Sequence, residues 1–387
     1  MRRATAWMGS MAADFPMPGE DPLRILMTCD TLGDTWRYAI DLSRELCRCG
    51  HGVTLAAMGP APSRAQRLEA AGIEGLMLRS RACKLVWMDD PWSDLRATGE
   101  WLLRLAAEVR PDIVHANGFG HVALAWPAPV LCMAHSCMAS WWRAVYGVPA
   151  PTRWDRYREH VRAALQAADT IAAPSRAMAM ALHTEYGLQR PVRVISAGIR
   201  GHAVTCKKRA LVFAAGRFGD EGKNLGHLAA VAPCVPWPVC VAAADVAPGD
   251  TRAAYLHVRQ LGALRPSAMQ RWFARAAIYA LPARYEPLGL SVLEAAQAGC
   301  ALVLGDISDL REYWDNAALF VPPDDGDALR DALLRLIGDD TLREHLGARA
   351  RRRALFMTAA LMADDCQRTY DEMLSRRTST PHLKVCA

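Results

Sequence analysis

The chain has 387 residues, which is enough for two domains that each bury a core of their own. Hydrophobic residues make up 52% and charged residues 22%, which excludes a disordered, collagen-like or low-complexity chain. The net charge of +6 comes from scattered arginines rather than a basic stripe, so nucleic acid is not an expected partner. No apolar run reaches the roughly 18 residues that a membrane span needs.

Residues 1–22 are predicted to form a loose tail, because their basic start is not followed by the apolar segment of a secretory signal. Several of the 12 cysteines lie in apolar stretches, which favours free thiols over a disulfide framework. Both observations predict a cytoplasmic protein. Arg349 and the run 351–353 leave two interpretations open, a solvated helix end or a contact with the anionic inner face of the membrane.

The first half of the chain alternates apolar runs with helical patterns. Residues 23–29 predict a strand, and Asp34–Cys49 predict a helix with apolar side chains at helical spacing and Gly50 as its end. Further strands are predicted at 52–58, 111–116, 129–136, 169–175 and 192–198. Most of them end in small or polar residues, as loops at the carboxyl edge of a parallel sheet do.

The second half repeats this pattern after a polar, basic hinge at 199–209. Long helical patterns follow from about Asp327 to Arg353 and from about Thr358 to Ser375, before a short tail at 376–387. The predicted strands of this half are 210–216, 238–245, 276–282 and 300–306. Two doubly wound α/β domains, 23–198 and 210–357, are therefore expected, with a ligand in the cleft between them.

The most informative segment runs from Glu286 to Glu294. A proline and Gly289 predict a tight turn, and a helix should begin near Leu290. The free N–H groups and the dipole at this helix start would attract a phosphate. Two carboxylates, one before the helix start and one a turn inside it, suit recognition of a polyol.

This segment, with seven residues between the glutamates, resembles the signature of family-4 retaining glycosyltransferases of the GT-B fold. Three further segments resemble the family in the same order, namely 169–175, 213–224 and 321–325. The resemblance implies two Rossmann-like domains that face each other across a cleft. The N-terminal domain would select the acceptor, the C-terminal domain would bind the nucleotide sugar, and the last helix (358–375) would cross back to the N-terminal domain.

The implied activity is transfer of a hexose from a UDP- or GDP-linked sugar to an acceptor hydroxyl, with retention and without a protein nucleophile. A polysaccharide precursor, a lipid-linked sugar or a small metabolite would all fit as acceptor in glycan or glycoconjugate synthesis. No metal or other cofactor is expected, because Arg217 and Lys223 would stabilise the donor diphosphate.

The resemblance also implies roles for individual residues. The catalytic residues would be His135, Arg217, Lys223 and Glu286, with Glu286 on the hydroxyls of the transferred sugar and His135 facing that sugar. Glu294 would bind the nucleotide ribose. The full donor-binding set would be Gly33, Gly216, Arg217, Lys223, Glu286, Leu288, Gly289, Leu290 and Glu294.

The chain departs from the family pattern at three places. Leu288 stands where the family often has phenylalanine, and Ala197-Gly198 stands where it often has Asn-Gly. The loop 31–34 has one glycine where many relatives have two. The last difference bears on a phosphate contact near the acceptor.

Simpler interpretations accompany several of these residues. His135 could be a core histidine bonded to backbone, and the group Trp141, Trp142 and Arg143 could pack in the core rather than line an acceptor site. The segment 132–137 offers Cys, His and Cys, but a fourth metal ligand is missing. The glycine-rich segment 118–123 is read as a turn rather than a dinucleotide fingerprint.

Two other functions remain open at this stage. A nucleotide-sugar epimerase shares the two-domain architecture but needs acid and base groups, for which only His135 is a candidate. A non-catalytic subunit that binds nucleotide sugar would not need Glu286 and Glu294 together. The sequence does not predict the donor base, the acceptor or the oligomeric state.

Overall fold

The computed structural model describes residues 21–201, 206–243 and 257–379. Within these residues the strands form two parallel sheets, one of seven strands and one of six. Most of the two predicted tails, part of the predicted hinge, and the end of the predicted strand 238–245 lie outside the described residues.

The N-terminal sheet has the strand order β3-β2-β1-β4-β5-β6-β7. Its strands are β1 (Arg24–Asp30), β2 (Gly52–Gly59), β3 (Leu76–Ala82), β4 (Ile113–Ala116), β5 (Val130–Met133), β6 (Thr170–Ala173) and β7 (Arg193–Val194). The sequence analysis missed β3, an edge strand that keeps much of its surface in solvent and carries two arginines. It also predicted a longer last strand than the two-residue β7.

The C-terminal sheet has the order β10-β9-β8-β11-β12-β13. Its strands are β8 (Arg209–Gly216), β9 (Val239–Ala243), β10 (Arg259–Gln260), β11 (Ala276–Leu281), β12 (Ala301–Gly305) and β13 (Ala318–Val321). The central strands β9, β11 and β12 are buried along their whole length, because helices cover both faces of a parallel sheet.

Helices connect the strands of both sheets. They are α1 (Asp34–Arg48), α2 (Arg64–Ala71), α3 (Trp92–Val109), α4 (Met138–Tyr146), α5 (Asp155–Ala167), α6 (Arg176–Tyr186), α7 (Leu225–Val231), α8 (Pro266–Arg275), α9 (Leu290–Gln297), α10 (Ser308–Trp314), α11 (Gly326–Gly338), α12 (Asp340–Ala354) and α13 (Ala359–Ser379). The predicted first helix is confirmed: α1 buries Tyr38, Ile40, Leu42 and Leu46. Each such side chain stabilises the fold by about 1.5–3 kcal/mol. None of the helices in the described ranges is long and apolar enough to cross a membrane.

The single helix predicted at 327–353 is wrong, because the structure divides it into α11 and α12. The carboxylate of Asp339 accepts a hydrogen bond from the backbone N–H of Leu342 at 2.8 Å. This N-terminal cap starts a new helix directly after Gly338, and Asp is well suited to that position.

The chain crosses between the domains twice, at neighbouring positions. The N–H of Ile199 donates to the carbonyl of Met357 at 3.4 Å, and the N–H of Ala359 donates to the carbonyl of Ile199 at 3.1 Å. A Cβ atom on Gly198 would lie 2.1 Å from the carbonyl oxygen of Thr358, so no other residue fits there. The two crossings therefore form a short, tightly paired ribbon.

Helix α13 then packs on the N-terminal domain, as predicted. The hydroxyl of Tyr370 lies 2.6 Å from Nδ1 of the buried His115 at the end of β4. Arg193 and Glu372 form a further ion pair at 2.7 Å. The helix is longer than predicted and runs to Ser379.

Candidate active site

A cleft of about 840 Å³ lies where the carboxyl ends of the two sheets face each other. Ligands of doubly wound sheets bind at this edge. The predicted residues that line the cleft are Gly33, His135, Trp141, Gly216, Arg217, Lys223, Glu286, Leu288 and Glu294.

Lys223 and Glu286 form the innermost ion pair, with Nζ and Oε2 2.5 Å apart. Glu286 is only 2% exposed. Burial raises the pKa of the Glu286 carboxyl, and the charge of Lys223 opposes that rise. Burial alone would lower the pKa of Lys223, but the nearby carboxylates, of which Glu286 has the largest effect, together outweigh it and raise this pKa. The ammonium group also lies 3.9 Å from Asp34 of the N-terminal domain.

The start of α9 is built around Gly289, which has a φ of +60° and therefore favours glycine. Its N–H donates to Oε1 of Glu286 at 3.1 Å. The expectation of free N–H groups at this helix start is thus wrong for Gly289, since the nearby carboxylate already occupies that donor. Neither Gly289 nor Leu290 is among the lining residues, and the Leu290 side chain is buried.

Glu294 forms an ion pair across the cleft with Arg37 of α1, at 2.6 Å between Oε2 and Nη1. Burial raises the pKa of Glu294, and Arg37 opposes the rise. The sequence analysis missed Arg37. Arg37 lies in the first turn of α1, directly after the loop that leads from β1 into the cleft. This position in the sequence could have identified it as a cleft residue.

Arg217 contacts Asp220 at 2.7 Å in the loop after β8. Asp220 also accepts hydrogen bonds from the N–H of Gly222 at 3.0 Å and from the indole of Trp141 at 3.3 Å. Burial acts to raise the pKa of Asp220, but the hydrogen bond and charge of Arg217, together with smaller effects of Lys223 and Trp141, outweigh it and lower the pKa. Trp141 of the N-terminal domain therefore packs directly on the loop that carries Arg217 and Lys223.

The predicted acceptor-site group of three residues is divided by the structure. Trp141 lines the cleft, whereas Trp142 and Arg143 do not. Trp142 packs on Tyr146 with ring centroids 4.6 Å apart. Arg143 forms an ion pair with Glu185 of α6. Successive residues of a helix point in different directions, which separates these two from Trp141.

His135 follows β5, and its Nε2 lies 2.7 Å from Oδ1 of Asn117. The amide of Asn117 is oriented by donation from Nδ2 to the carbonyl of Thr28 at 2.9 Å. Oδ1 therefore accepts, and Nε2 of His135 carries the proton. Burial lowers the pKa of His135 to about 3, so the ring is neutral. The sequence analysis missed Asn117, which follows β4 at the same sheet edge.

Asp30 is a further lining residue that the sequence analysis missed. Its carboxylate accepts a hydrogen bond from the N–H of Leu32 at 3.2 Å. Burial raises the pKa of Asp30 to about 7, against a smaller opposing effect of Arg217. Asp30 is the last residue of β1, and this position at the carboxyl end of a strand could have identified it as a cleft residue.

Among the described residues no group of three or more His, Cys, Asp and Glu side chains is arranged to hold a metal ion. Cys137, one of the ligands considered, instead caps α4 by accepting the N–H of Ser140 at 3.3 Å. Independence from metal stays a prediction. The segment 118–123 is a turn, as predicted.

Two Rossmann-like domains, a cleft between their carboxyl edges and a returning last helix define the GT-B architecture. Sucrose-phosphate synthase from Thermosynechococcus elongatus has a TM-score of 0.75 at 17% identity, with 92% of this chain and 100% of that chain covered. The Anabaena protein Alr3699/HepE, solved in complex with UDP and glucose, has a TM-score of 0.71 at 14% identity, with 90% and 99% covered. These likenesses establish the fold.

Sequence comparison identifies the family. Residues 35–200 match Glycosyltransferase Family 4, and residues 253–353 match Glycosyl transferases group 1. The chain belongs to this family of glycosyltransferases. The O-antigen chain mannosyltransferase B of Escherichia coli is 33% identical over 92 residues, which is 24% of this chain and 24% of that protein. The exopolysaccharide phosphotransferase SCO2592 of Streptomyces coelicolor is 31% identical over 114 residues, 28% of this chain and 12% of that protein. The matches thus span a quarter or less of either curated relative.

Proposed function

We propose that the protein is a retaining glycosyltransferase that moves a hexose from a UDP- or GDP-linked sugar to an acceptor hydroxyl in glycan synthesis. The observation that carries the proposal is the grouping of Lys223, Glu286, Arg217 and Glu294 along one wall of the cleft. It supplies two cations for a diphosphate and two carboxylates for hydroxyl groups. The family membership and the similarity to the mannosyltransferase named above support the same activity.

On donor binding, Arg217 and Lys223 would exchange their present ion-pair partners for the donor. Arg217 and Lys223 now contact carboxylates, and the oxygens of a diphosphate would replace these in part. Glu286 would then accept hydrogen bonds from hydroxyls of the transferred sugar, and Glu294 from those of the ribose. The charge-assisted hydrogen bonds to the diphosphate would be of similar strength to the ion pairs that they replace. The charged side chains of the donor site are thus already in place before the donor binds.

The transfer step breaks the bond between the anomeric carbon and the diphosphate oxygen. The acceptor oxygen forms its bond to the anomeric carbon on the same face, and the acceptor proton passes to the leaving phosphate oxygen. Arg217 and Lys223 stabilise the negative charge that develops on the diphosphate. Glu286 is not assigned as a nucleophile, because its two oxygens are held by Lys223 and by the N–H of Gly289.

His135 is assigned to binding of the transferred sugar. A histidine whose pKa is lowered to about 3 stays neutral and does not act as a general acid near neutral pH. This assignment disfavours the epimerase alternative, which needs proton transfer at the sugar.

A thermal-shift screen with UDP, GDP, ADP, dTDP and their hexose conjugates, without added metal, tests the donor site. Binding to the folded state raises the melting temperature. A shift with one nucleotide that is lost in Glu294→Ala supports the proposal, with Arg330→Ala, at a half-buried residue outside the cleft, as control variant. No shift with any nucleotide contradicts it. Conversion of the sugar nucleotide without acceptor would indicate an epimerase, and tight binding without turnover a non-catalytic subunit.

We also propose that the protein is cytoplasmic and associates with the inner face of the membrane through the end of α12. Leu355 and Phe356 are 64% and 78% exposed, and Arg351 and Arg352 precede them by one helical turn. Apolar insertion and attraction to anionic headgroups act together at such a surface. Met180, 68% exposed on α6, provides the control position.

Co-sedimentation with vesicles tests this association. Binding to phosphatidylglycerol vesicles should exceed binding to phosphatidylcholine vesicles and should fall in Phe356→Ser but not in Met180→Ser. If the unmodified protein and both variants sediment equally with both kinds of vesicle, the arginines are a solvated helix end.

A further inference from the structure

The N-terminal wall of the cleft carries an apolar pocket that the donor chemistry does not use. The side chains that line it are Met58, Leu85, Val86, Trp87, Leu95 and Phe119. Met58, Leu85, Leu95 and Phe119 are buried, and Trp87 keeps 37% of its surface exposed. Met58 lies near the end of β2, and Phe119 lies in the loop after β4. The segment between β3 and α3 supplies Leu85, Val86 and Trp87, and α3 itself supplies Leu95.

The pocket is continuous with the donor site. The loop after β1 joins them, because the N–H of Thr31 donates to the carbonyl of Met58 at 2.9 Å while Asp34 lies 3.9 Å from Lys223. A molecule in this pocket would therefore be close to the group that Lys223 binds.

The segment between β3 and α3 is held in place by its own contacts. Lys84 donates to the carbonyls of Asp89 and Asp90 at 3.1 and 3.4 Å. The N–H of Leu85 donates to the sulfur of Met88 at 3.3 Å. The pocket is thus formed before a ligand binds, which reduces the entropic cost of binding.

The charges on this wall do not favour an anionic ligand. Asp30 and Asp34 are both lining residues. Of the basic lining residues on this side, Arg37 is paired with Glu294, and Lys84 directs its ammonium at backbone carbonyls of its own segment. A phosphate group here would approach Asp34 and, where it is ionised, Asp30. The cations on this side already contact other groups, and desolvation without a new partner is costly.

We propose that the acceptor is an uncharged molecule that joins a hydroxyl-bearing head to an apolar ring or chain. Leu85, Trp87 and Phe119 bind the apolar part. Asp30 accepts a hydrogen bond from a hydroxyl of the head through the carboxylate oxygen that does not contact Leu32. This inference rests on the proposed function, and it narrows the acceptor classes that the sequence left open.

Acceptor competition tests the inference once the donor is known. Octyl glucoside and octyl mannoside, below their micelle concentrations, are compared with the free hexoses and with the hexose 6-phosphates. The expected kcat/KM is at least tenfold higher for the octyl hexosides than for the free hexoses, and lowest for the phosphates. In Trp87→Ala the ratio of octyl hexoside to free hexose should fall about tenfold, because the burial of the octyl chain is lost. Leu68→Ala, at a residue 64% exposed outside the cleft, should leave the ratio unchanged.

A preference for hexose phosphates that disappears in Lys84→Met would overturn the inference and indicate an anionic acceptor. An unchanged ratio in Trp87→Ala would overturn it as well, as would calorimetry that shows no binding of octyl hexosides in the presence of the nucleotide. Failure of the proposed function itself is seen separately, as no nucleotide-dependent stabilisation and no donor hydrolysis.

Discussion

The two walls of the cleft differ in the chemistry of the side chains that line them. On the C-terminal wall, charged side chains contact one another in pairs, Lys223 with Glu286 and Arg217 with Asp220. On the N-terminal wall, most lining side chains around Leu85 and Phe119 are apolar. A diphosphate needs fixed charges wherever it binds, whereas an acceptor is selected largely by shape and burial. The proposed donor wall is therefore organised by electrostatics, and the proposed acceptor wall by packing.

The largest effect is expected at the donor wall. Lys223→Met should lower transfer about 100- to 1000-fold, because one fixed charge beside the leaving group is lost. The initial rate at saturating donor measures the change, and Lys207→Met, at an exposed lysine, is the matched control.

Loss of Lys223 also leaves Glu286 buried without its partner, which by itself can destabilise the fold. The double variant Lys223→Met with Glu286→Gln should restore the melting temperature without restoring activity. Activity close to that of the unmodified protein in either variant would show that the charges of this wall do not serve the donor.

A smaller effect is expected at Asp30 on the N-terminal wall. Burial raises its pKa in the folded protein to about 7, well above the ordinary range of an aspartate. The folded state thus binds a proton more tightly than the unfolded state, and ionisation of Asp30 lowers stability as the pH rises from about 4 to 7. Asp30→Asn should therefore melt a few degrees above the unmodified protein at pH 8, with no difference below about pH 4.

Melting temperatures measured from pH 4 to pH 8 check this expectation. Other buried carboxyls such as Asp309, whose pKa is raised by burial to about 6, titrate in both proteins and cancel in the difference. If the difference in melting temperature between the two proteins does not vary with pH, ionisation of Asp30 does not destabilise the fold.

The smallest effect is expected where the two walls touch. Trp141→Phe keeps the ring but removes the indole donor to Asp220 at 3.3 Å. Nucleotide affinity should fall only about threefold, since the loop after β8 keeps its other contacts. Calorimetric titration with the preferred nucleotide measures it. A loss beyond about 30-fold would show that the N-terminal wall controls the donor site, and the division between the walls would then fail.

The sequence places several residues of the C-terminal wall correctly in the cleft, and there is a physical reason for this. Glu286 and Glu294 are brought together by a single turn and helix, so their spacing along the chain is also their spacing in space. Arg37 and Asn117 reach the same cleft from other elements, and only the folding of the sheet brings them there. Trp142 and Arg143 show the converse, because proximity to Trp141 along the chain does not place them in the cleft.

The fold was predictable to a similar degree. Buried central strands stand out as apolar runs, and all but the edges of both sheets were identified. The exposed edge strand β3 and the helix break at Asp339 depend on weaker signals, an alternating pattern with arginines and one capping side chain.

The paired crossings at Ile199 and Thr358 restrict how the cleft can change its width. A single linker would let two domains rotate independently in any direction. Two linkers that are joined by backbone hydrogen bonds restrict the domains to a hinge motion. Any rotation must bend both at once about one shared axis, and Gly198 leaves no space for them to slide past each other. We therefore expect the cleft to open and close by a change in this one angle, so that its two walls meet in the same register each time.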